Sequence, residues 1–124
     1  MKKLIFILFT FNLALADDRL QNCIDEGKLE ISACYADEIS FWDKELQQNY
    51  QKAEQACNKA PNPKQCLEDL SKIKKITKEY QKAMNDLSDK HISNGSRWAS
   101  NSLTLQIIKN QIKDLELFIK WSEQ

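Results

Sequence analysis

Apolar residues follow two kinds of pattern along this chain. Near the start, residues 4–13 form an almost unbroken apolar run that only Thr10 and Asn12 interrupt. From Ser32 onward, apolar residues recur every three or four positions, the spacing that places them on one face of a helix. No part of the chain alternates polar and apolar residues as a half-buried strand does. The pattern predicts an all-α protein that follows a hydrophobic leader.

The stripes predict three long helices, over residues 32–56, 63–90 and 98–121. The first stripe contains Ile39, Trp42, Leu46, Tyr50, Ala53 and Cys57. The second contains Cys66, Leu70, Ile73, Ile76, Tyr80, Ala83, Met84 and Leu87. The third contains Leu105, Ile108, Ile112, Leu115 and Ile119, with Phe118 and Trp121 extending it. We expect all three stripes to face a common core.

Residues that break or begin helices separate the three stripes. Pro61 cannot continue a helix, whereas Pro63 suits the first turn of the next one, with Asn62 as its N-cap. Asn94-Gly95 is a strong turn signal within the second break. Ser32 is the predicted N-cap of the first long helix. Short connections make neighbouring helices antiparallel, so we expect a small antiparallel bundle of three to four helices.

The first 16 residues have the order of a secretory signal peptide. Met1-Lys2-Lys3 is cationic, the apolar run follows, and Ala14-Leu15-Ala16 is the small-residue pattern at which signal peptidase cuts. The run is too short to span a membrane as a helix. We expect cleavage after Ala16, which makes residues 17–124 one mature domain. The short leader with two lysines looks bacterial, so the predicted location is the periplasm or the exterior, with no membrane attachment after cleavage.

An exported location makes the four cysteines candidates for disulfide bonds. Cys57 ends one predicted helix and Cys66 begins the next, so a hairpin of helices would bring the two sulfurs together. That pairing leaves Cys23 to bond with Cys34. A zinc site is the alternative, but the chain lacks the close Cys-x-x-Cys spacing and the exported location disfavours it.

Charge and motifs exclude several functions. Residues 17–124 hold 16 basic and 18 acidic side chains, so the mature chain is neither a basic nucleic-acid binder nor a membrane-surface polycation. Residues 17–54 carry a net charge of −6 and residues 57–124 one of +4. The acidic half either meets a cationic partner or complements the basic half within the fold. His91 is the only histidine, and no catalytic or phosphate-binding motif accompanies it. We therefore expect no enzyme activity, cofactor or metal.

The N-terminal half contains a recognisable pattern. Cys34 follows Cys23 by 11 residues, and Asp43-Lys44-Glu45-Leu46-Gln47-Gln48-Asn49-Tyr50 comes after it. This resembles the LprI-like lysozyme inhibitor family of small exported proteins, whose pattern is two spaced cysteines and then Asp-x-x-Leu-Asn-x-x-Tyr on a helix. The chain keeps Asp43, Leu46 and Tyr50, and has Gln47 where the family usually has Asn. The resemblance covers residues 23–50, and residues 71–90 lack the family's tryptophan, arginine and further cysteine.

The resemblance implies a helical, disulfide-stapled exported domain, some of whose relatives inhibit lysozyme. The expected partner is a C-type lysozyme or another cell-wall hydrolase, whose substrate cleft would be blocked by the loop at 58–63 or at 91–97. The alternative is a non-enzymatic periplasmic interaction module, such as an immunity protein or an accessory of envelope assembly. We expect a monomer or a weak dimer that forms through excess apolar surface.

Overall fold

A computed structural model describes residues 19–92 and 96–124, without the side chains of residues 96–98. Residues 19–26 form helix α1, and three long helices follow: α2 (Ile31–Asn58), α3 (Pro63–His91) and α4 (Ser96–Ser122). The prediction of an all-α fold is confirmed, since the described residues contain no strand. The predicted signal peptide lies outside the described residues. None of the described helices combines the length and apolar character needed to cross a membrane.

The chain divides into two compact units, between Glu38 and Ile39. In the first unit, a disulfide joins Cys23 of α1 to Cys34 of α2, with 5.8 Å between their Cα atoms. The Arg19 guanidinium donates hydrogen bonds of 2.8 Å from Nε and 2.6 Å from Nη2 to one oxygen of Glu38. The Glu38 side chain is buried, so this charged hydrogen-bonded pair compensates for its removal from water.

Helix α2 begins earlier than the sequence predicts. The backbone N–H groups of Ala33 and Cys34 donate to the carbonyl of Glu30, at 2.9 and 3.1 Å. Glu30 therefore occupies the N-cap position, and the prediction that Ser32 caps this helix was wrong. The turn after α1 fixes where α2 begins. That turn contains Gly27 at a φ of 65°, a left-handed conformation that glycine adopts without steric cost.

Helix α3 begins as the sequence predicts. Pro63 is its first residue, and the Asn62 side-chain oxygen accepts a hydrogen bond of 3.2 Å from the backbone N–H of Gln65. This bond satisfies one of the free N–H groups of the first turn. The helix ends at His91, where the N–H of Ile92 donates to the carbonyl of Ser88 at 2.9 Å. His91, predicted to lie in a loop, is thus the exposed last residue of α3.

In the second unit, α2, α3 and α4 run up, down and up. The disulfide between Cys57 and Cys66 joins the end of α2 to the start of α3, with 5.3 Å between the Cα atoms. The end of α3 lies beside the start of α4, because Ser100 Oγ donates to Asp89 Oδ1 at 2.6 Å. The Lys109 ammonium of α4 lies 5.1 Å from the centroid of the Trp42 ring of α2.

The core of the second unit comes mainly from α2 and α4. Its buried apolar residues include Trp42, Leu46, Tyr50, Ala53 and Cys57 from α2, and Leu105, Ile107, Ile108, Ile112 and Leu115 from α4. These residues confirm most of the two predicted stripes. The predicted extension of the α4 stripe was wrong, since Phe118 and Trp121 remain 39% and 63% exposed.

The predicted stripe of α3 was largely wrong. Leu70 is buried, but Ile73, Ile76, Tyr80 and Leu87 are each more than half exposed. The buried or half-buried residues of α3 include instead Lys74, Thr77, Gln81, Asn85 and Ser88. Hydrogen bonds account for this orientation: Lys74 Nζ donates to Gln47 Oε1 of α2 at 3.5 Å, and Thr104 Oγ1 of α4 donates to Asn85 Oδ1 at 3.2 Å. The polar side of α3 therefore faces the bundle.

Candidate binding groove

A groove of about 450 Å³ lies where the loop between α2 and α3 meets the C-terminal half of α4. Pro61 of that loop and the disulfide beside it form one wall, and α4 forms the other. The lining residues are Cys57, Ala60, Pro61, Asn62, Gln65, Cys66, Asp69, Leu70, Ile73, Asp114, Leu115 and Phe118. Most of these side chains are apolar, and one of the two loops predicted as inhibitory contributes three of the residues.

The disulfide beside the loop joins the two helices at one wall of this groove. Cys57 is fully buried and anchors the disulfide in the core, so Cys66 and the first turn of α3 are held against the end of α2. Leu70 and Leu115 are buried and form the floor, whereas Phe118 is only partly covered. An apolar floor with a partly exposed aromatic wall suits an incoming aliphatic or aromatic side chain.

Two carboxylates give the groove a negative character. Asp69 projects from α3 and Asp114 from α4, and both side chains are exposed. The Gln65 amide donates to Asp69 Oδ1 at 3.0 Å, which orients that carboxylate. Among the described residues that line the groove there is no lysine or arginine. The groove therefore suits a cationic side chain whose apolar stem contacts the floor while its charged end meets a carboxylate.

The sequence predicts the loop at 58–63 but not these two acids beside it. They lie 45 positions apart, on helices whose facing sides the sequence does not give. A signal was present, however: each aspartate immediately precedes a leucine of a predicted stripe, Leu70 in one case and Leu115 in the other. Because α3 and α4 are antiparallel, an early residue of α3 and a late residue of α4 lie at the same end of the bundle.

The residues of the family-like motif lie away from the groove. Leu46 and Tyr50 are buried in the core of the second unit, and Asp43 is exposed on α2. The Tyr50 hydroxyl donates a short hydrogen bond to Gln111 Oε1, and the Lys74 ammonium lies 5.0 Å from the centroid of its ring. Burial raises the pKa of the Tyr50 phenol above its ordinary value. In this structure Leu46 and Tyr50 hold helices together.

The four cysteines pair as their spacing favoured, Cys23 with Cys34 and Cys57 with Cys66. Only the second pair lines the groove. Over residues 19–92 and 96–124, no group of three or more histidine, cysteine or acidic side chains could hold a metal ion. The second predicted loop, at 91–97, lies partly outside the described residues.

One further acid of the second unit has an altered pKa. Glu116 of α4 is half-buried, and this burial raises the pKa of its carboxyl group. The cations of Lys52 and Lys113 oppose that shift, whereas the nearby Glu45 adds to it. Glu116 does not line the groove. Its effect is therefore expected on stability and not on binding.

Comparisons of the chain with models of protein families, with curated proteins and with solved structures found no match. The resemblance to the LprI-like lysozyme inhibitor family stays a prediction that rests on residues 23–50.

Proposed function

We propose that this protein is an exported, non-enzymatic lysozyme inhibitor that protects the bacterial cell wall. The leader over residues 1–16 supports export, and two disulfide bonds suit the oxidising periplasm or exterior. The resemblance over residues 23–50 supports the choice of a lysozyme as the target.

The acidic apolar groove between α3 and α4 is the observation that carries the proposal. Animal lysozymes are often strongly cationic, so they present lysine and arginine side chains on their surface. One such side chain would lay its aliphatic stem on Leu70 and Leu115 and bring its charge to Asp69 or Asp114. The bound protein would then block the approach of peptidoglycan to the substrate cleft.

Charge would also accelerate the encounter with such an enzyme. The net charge of −6 over residues 17–54 attracts a cationic protein from a distance, and added salt screens this attraction. Inhibition should therefore weaken as ionic strength rises, mainly through a slower association rate. An inhibition constant and an association rate that do not change with salt would contradict this step.

A cell-wall lysis assay tests the proposal. The full chain is exported from a bacterial host, purified in its oxidised form and titrated against a C-type lysozyme, with a reduced and alkylated sample as the control. We expect saturable inhibition by the oxidised protein and little by the reduced one, because the disulfide beside the loop shapes the groove. No inhibition of C-, G- or I-type lysozymes at high micromolar concentration would refute the proposal and favour an envelope interaction module.

A further inference from the structure

The outward side of α3 carries an apolar stripe that the described part of the chain leaves about half exposed. Ile73, Ile76, Tyr80 and Leu87 are 51%, 55%, 55% and 54% exposed. Their spacing aligns them on one face over about 21 Å of helix. Single exposed apolar residues are ordinary on a protein surface, but an aligned set of four on one helix is typical of an interaction surface.

The stripe is nearly symmetric about its tyrosine. Ile73 and Leu87 lie seven residues before and after Tyr80, which is two helical turns in each direction. Ile76 precedes Tyr80 by four residues, and Met84, which is half-buried, follows it by four. In an antiparallel pair of α3 helices, a two-fold axis beside Tyr80 would therefore place Ile73 of one copy at the level of Leu87 of the other. Ile76 would likewise lie at the level of Met84.

The charges along one edge of the stripe select the antiparallel orientation. Lys72 and Asp86 immediately precede Ile73 and Leu87, so both lie on the same edge, and both are exposed. Antiparallel pairing places Lys72 of each copy beside Asp86 of the other copy, twice in the dimer. In a parallel pair this edge would face the opposite edge of the other copy, so Lys72 and Asp86 would not meet. Glu79, on the same edge near the axis, would lie beside Glu79 of the other copy, and this one repulsive pair is outnumbered by the two attractive pairs.

We propose that the protein forms a weak antiparallel homodimer through the outward face of α3. The interface is one helix face, so its area is at the low end for protein–protein contacts and the dimer should dissociate in the micromolar range. The proposal does not depend on lysozyme binding. Ile73 also lines the groove, so the test uses Ile76, Lys72 and Asp86, which do not.

Analytical ultracentrifugation of the oxidised protein over the micromolar range tests the dimer. We expect a reversible monomer–dimer equilibrium for the wild type and a monomer for Ile76→Glu. Tyr80→Lys provides a second disruption at the axis, and circular dichroism checks that each variant remains helical. Lys78→Glu, on an exposed site of α3 away from the stripe, is the charge control and should leave the equilibrium unchanged.

Charge reversal tests the orientation. Lys72→Glu and Asp86→Lys should each weaken the dimer by about tenfold, because each converts two attractive pairs into two repulsive ones. The double variant should return the dissociation constant to near the wild-type value. A monomer at all concentrations, or a dimer that survives both Ile76→Glu and Tyr80→Lys, would overturn the proposed surface. A double variant that dimerises no better than either single variant would overturn the antiparallel arrangement.

Discussion

The Tyr50 hydroxyl donates a hydrogen bond to the side-chain oxygen of Gln111, and this bond ties the middle of α2 to α4. The ring of Tyr50 is buried, and the Lys74 ammonium of α3 lies 5.0 Å from its centroid. One side chain thus contacts all three long helices of the second unit. The residue that ends the family-like motif is therefore a structural centre of this bundle and lies outside the groove.

Tyr50→Phe should lower the free energy of unfolding by about 1 kcal/mol, because the ring is kept while the half-buried Gln111 side chain loses its hydrogen-bond donor. Urea unfolding followed by circular dichroism measures this change. Tyr80→Phe is the matched control and should have little effect, since Tyr80 is more than half exposed. Equal stabilities for Tyr50→Phe and the wild type would contradict the role given to this hydrogen bond.

The burial of Tyr50 predicts a loss of stability at alkaline pH. Because burial raises the pKa of the phenol in the folded state, the unfolded chain ionises first as the pH rises past its ordinary value of 10.0. The stabilisation is present below that pH and is lost above it. Unfolding experiments across this range should show a steeper decline for the wild type than for Tyr50→Phe. Parallel declines would argue against a raised pKa.

The raised pKa of Glu116 predicts a dependence of the same sign, at acidic pH. Its pKa is raised by burial, so the ionised carboxylate at neutral pH disfavours the folded state, and protonation on acidification favours it. Glu116→Gln should therefore be slightly more stable than the wild type at neutral pH. The advantage should diminish as the pH falls through the raised pKa toward the ordinary value of 4.5. Thermal unfolding across this range is the measurement, and a Gln variant less stable than the wild type at neutral pH would contradict it.

The two disulfides should contribute similarly to the stability of the fold but differently to inhibition. Replacing Cys57 and Cys66 with alanine should cost about 2–3 kcal/mol and should also abolish inhibition, because this pair shapes the groove. Replacing Cys23 and Cys34 with alanine is the control: it opens a loop of similar length, but this pair lies in the first unit. Lysis assays and urea unfolding of both double variants test the distinction. If both double variants remained folded and both lost inhibition, the result would contradict a specific role for the groove.

The sequence predicts the helices well because periodicity and helix breakers are local signals. Asn62 and Pro63 start α3 as expected, and the stripe from Leu105 to Leu115 is buried. Periodicity does not say which side of an amphipathic helix faces inward. In α3, hydrogen bonds from Lys74 to Gln47 and from Thr104 to Asn85 connect its polar side to the bundle, and these bonds join residues far apart in the chain.

For the same reason, the sequence does not predict the acidic groove. The loop at 58–63 could be recognised from its prolines and the flanking cysteines. Its acidic character could not, because Asp69 and Asp114 come together only when α3 and α4 pack in a particular register. The long-range packing of helices, which no local pattern encodes, therefore determines the chemistry of the proposed binding site.

Reversing the charge of the groove tests the central claim most directly. Asp69→Lys and Asp114→Lys change two exposed side chains, so the bundle should fold as before. Glu123→Lys is the matched control, because it makes the same change in net charge at an exposed acid that does not line the groove. In a lysozyme inhibition titration, we expect each groove variant to weaken inhibition at least tenfold and the control to weaken it only slightly. Equal inhibition by all three variants and the wild type would show that the groove is not the inhibitory surface.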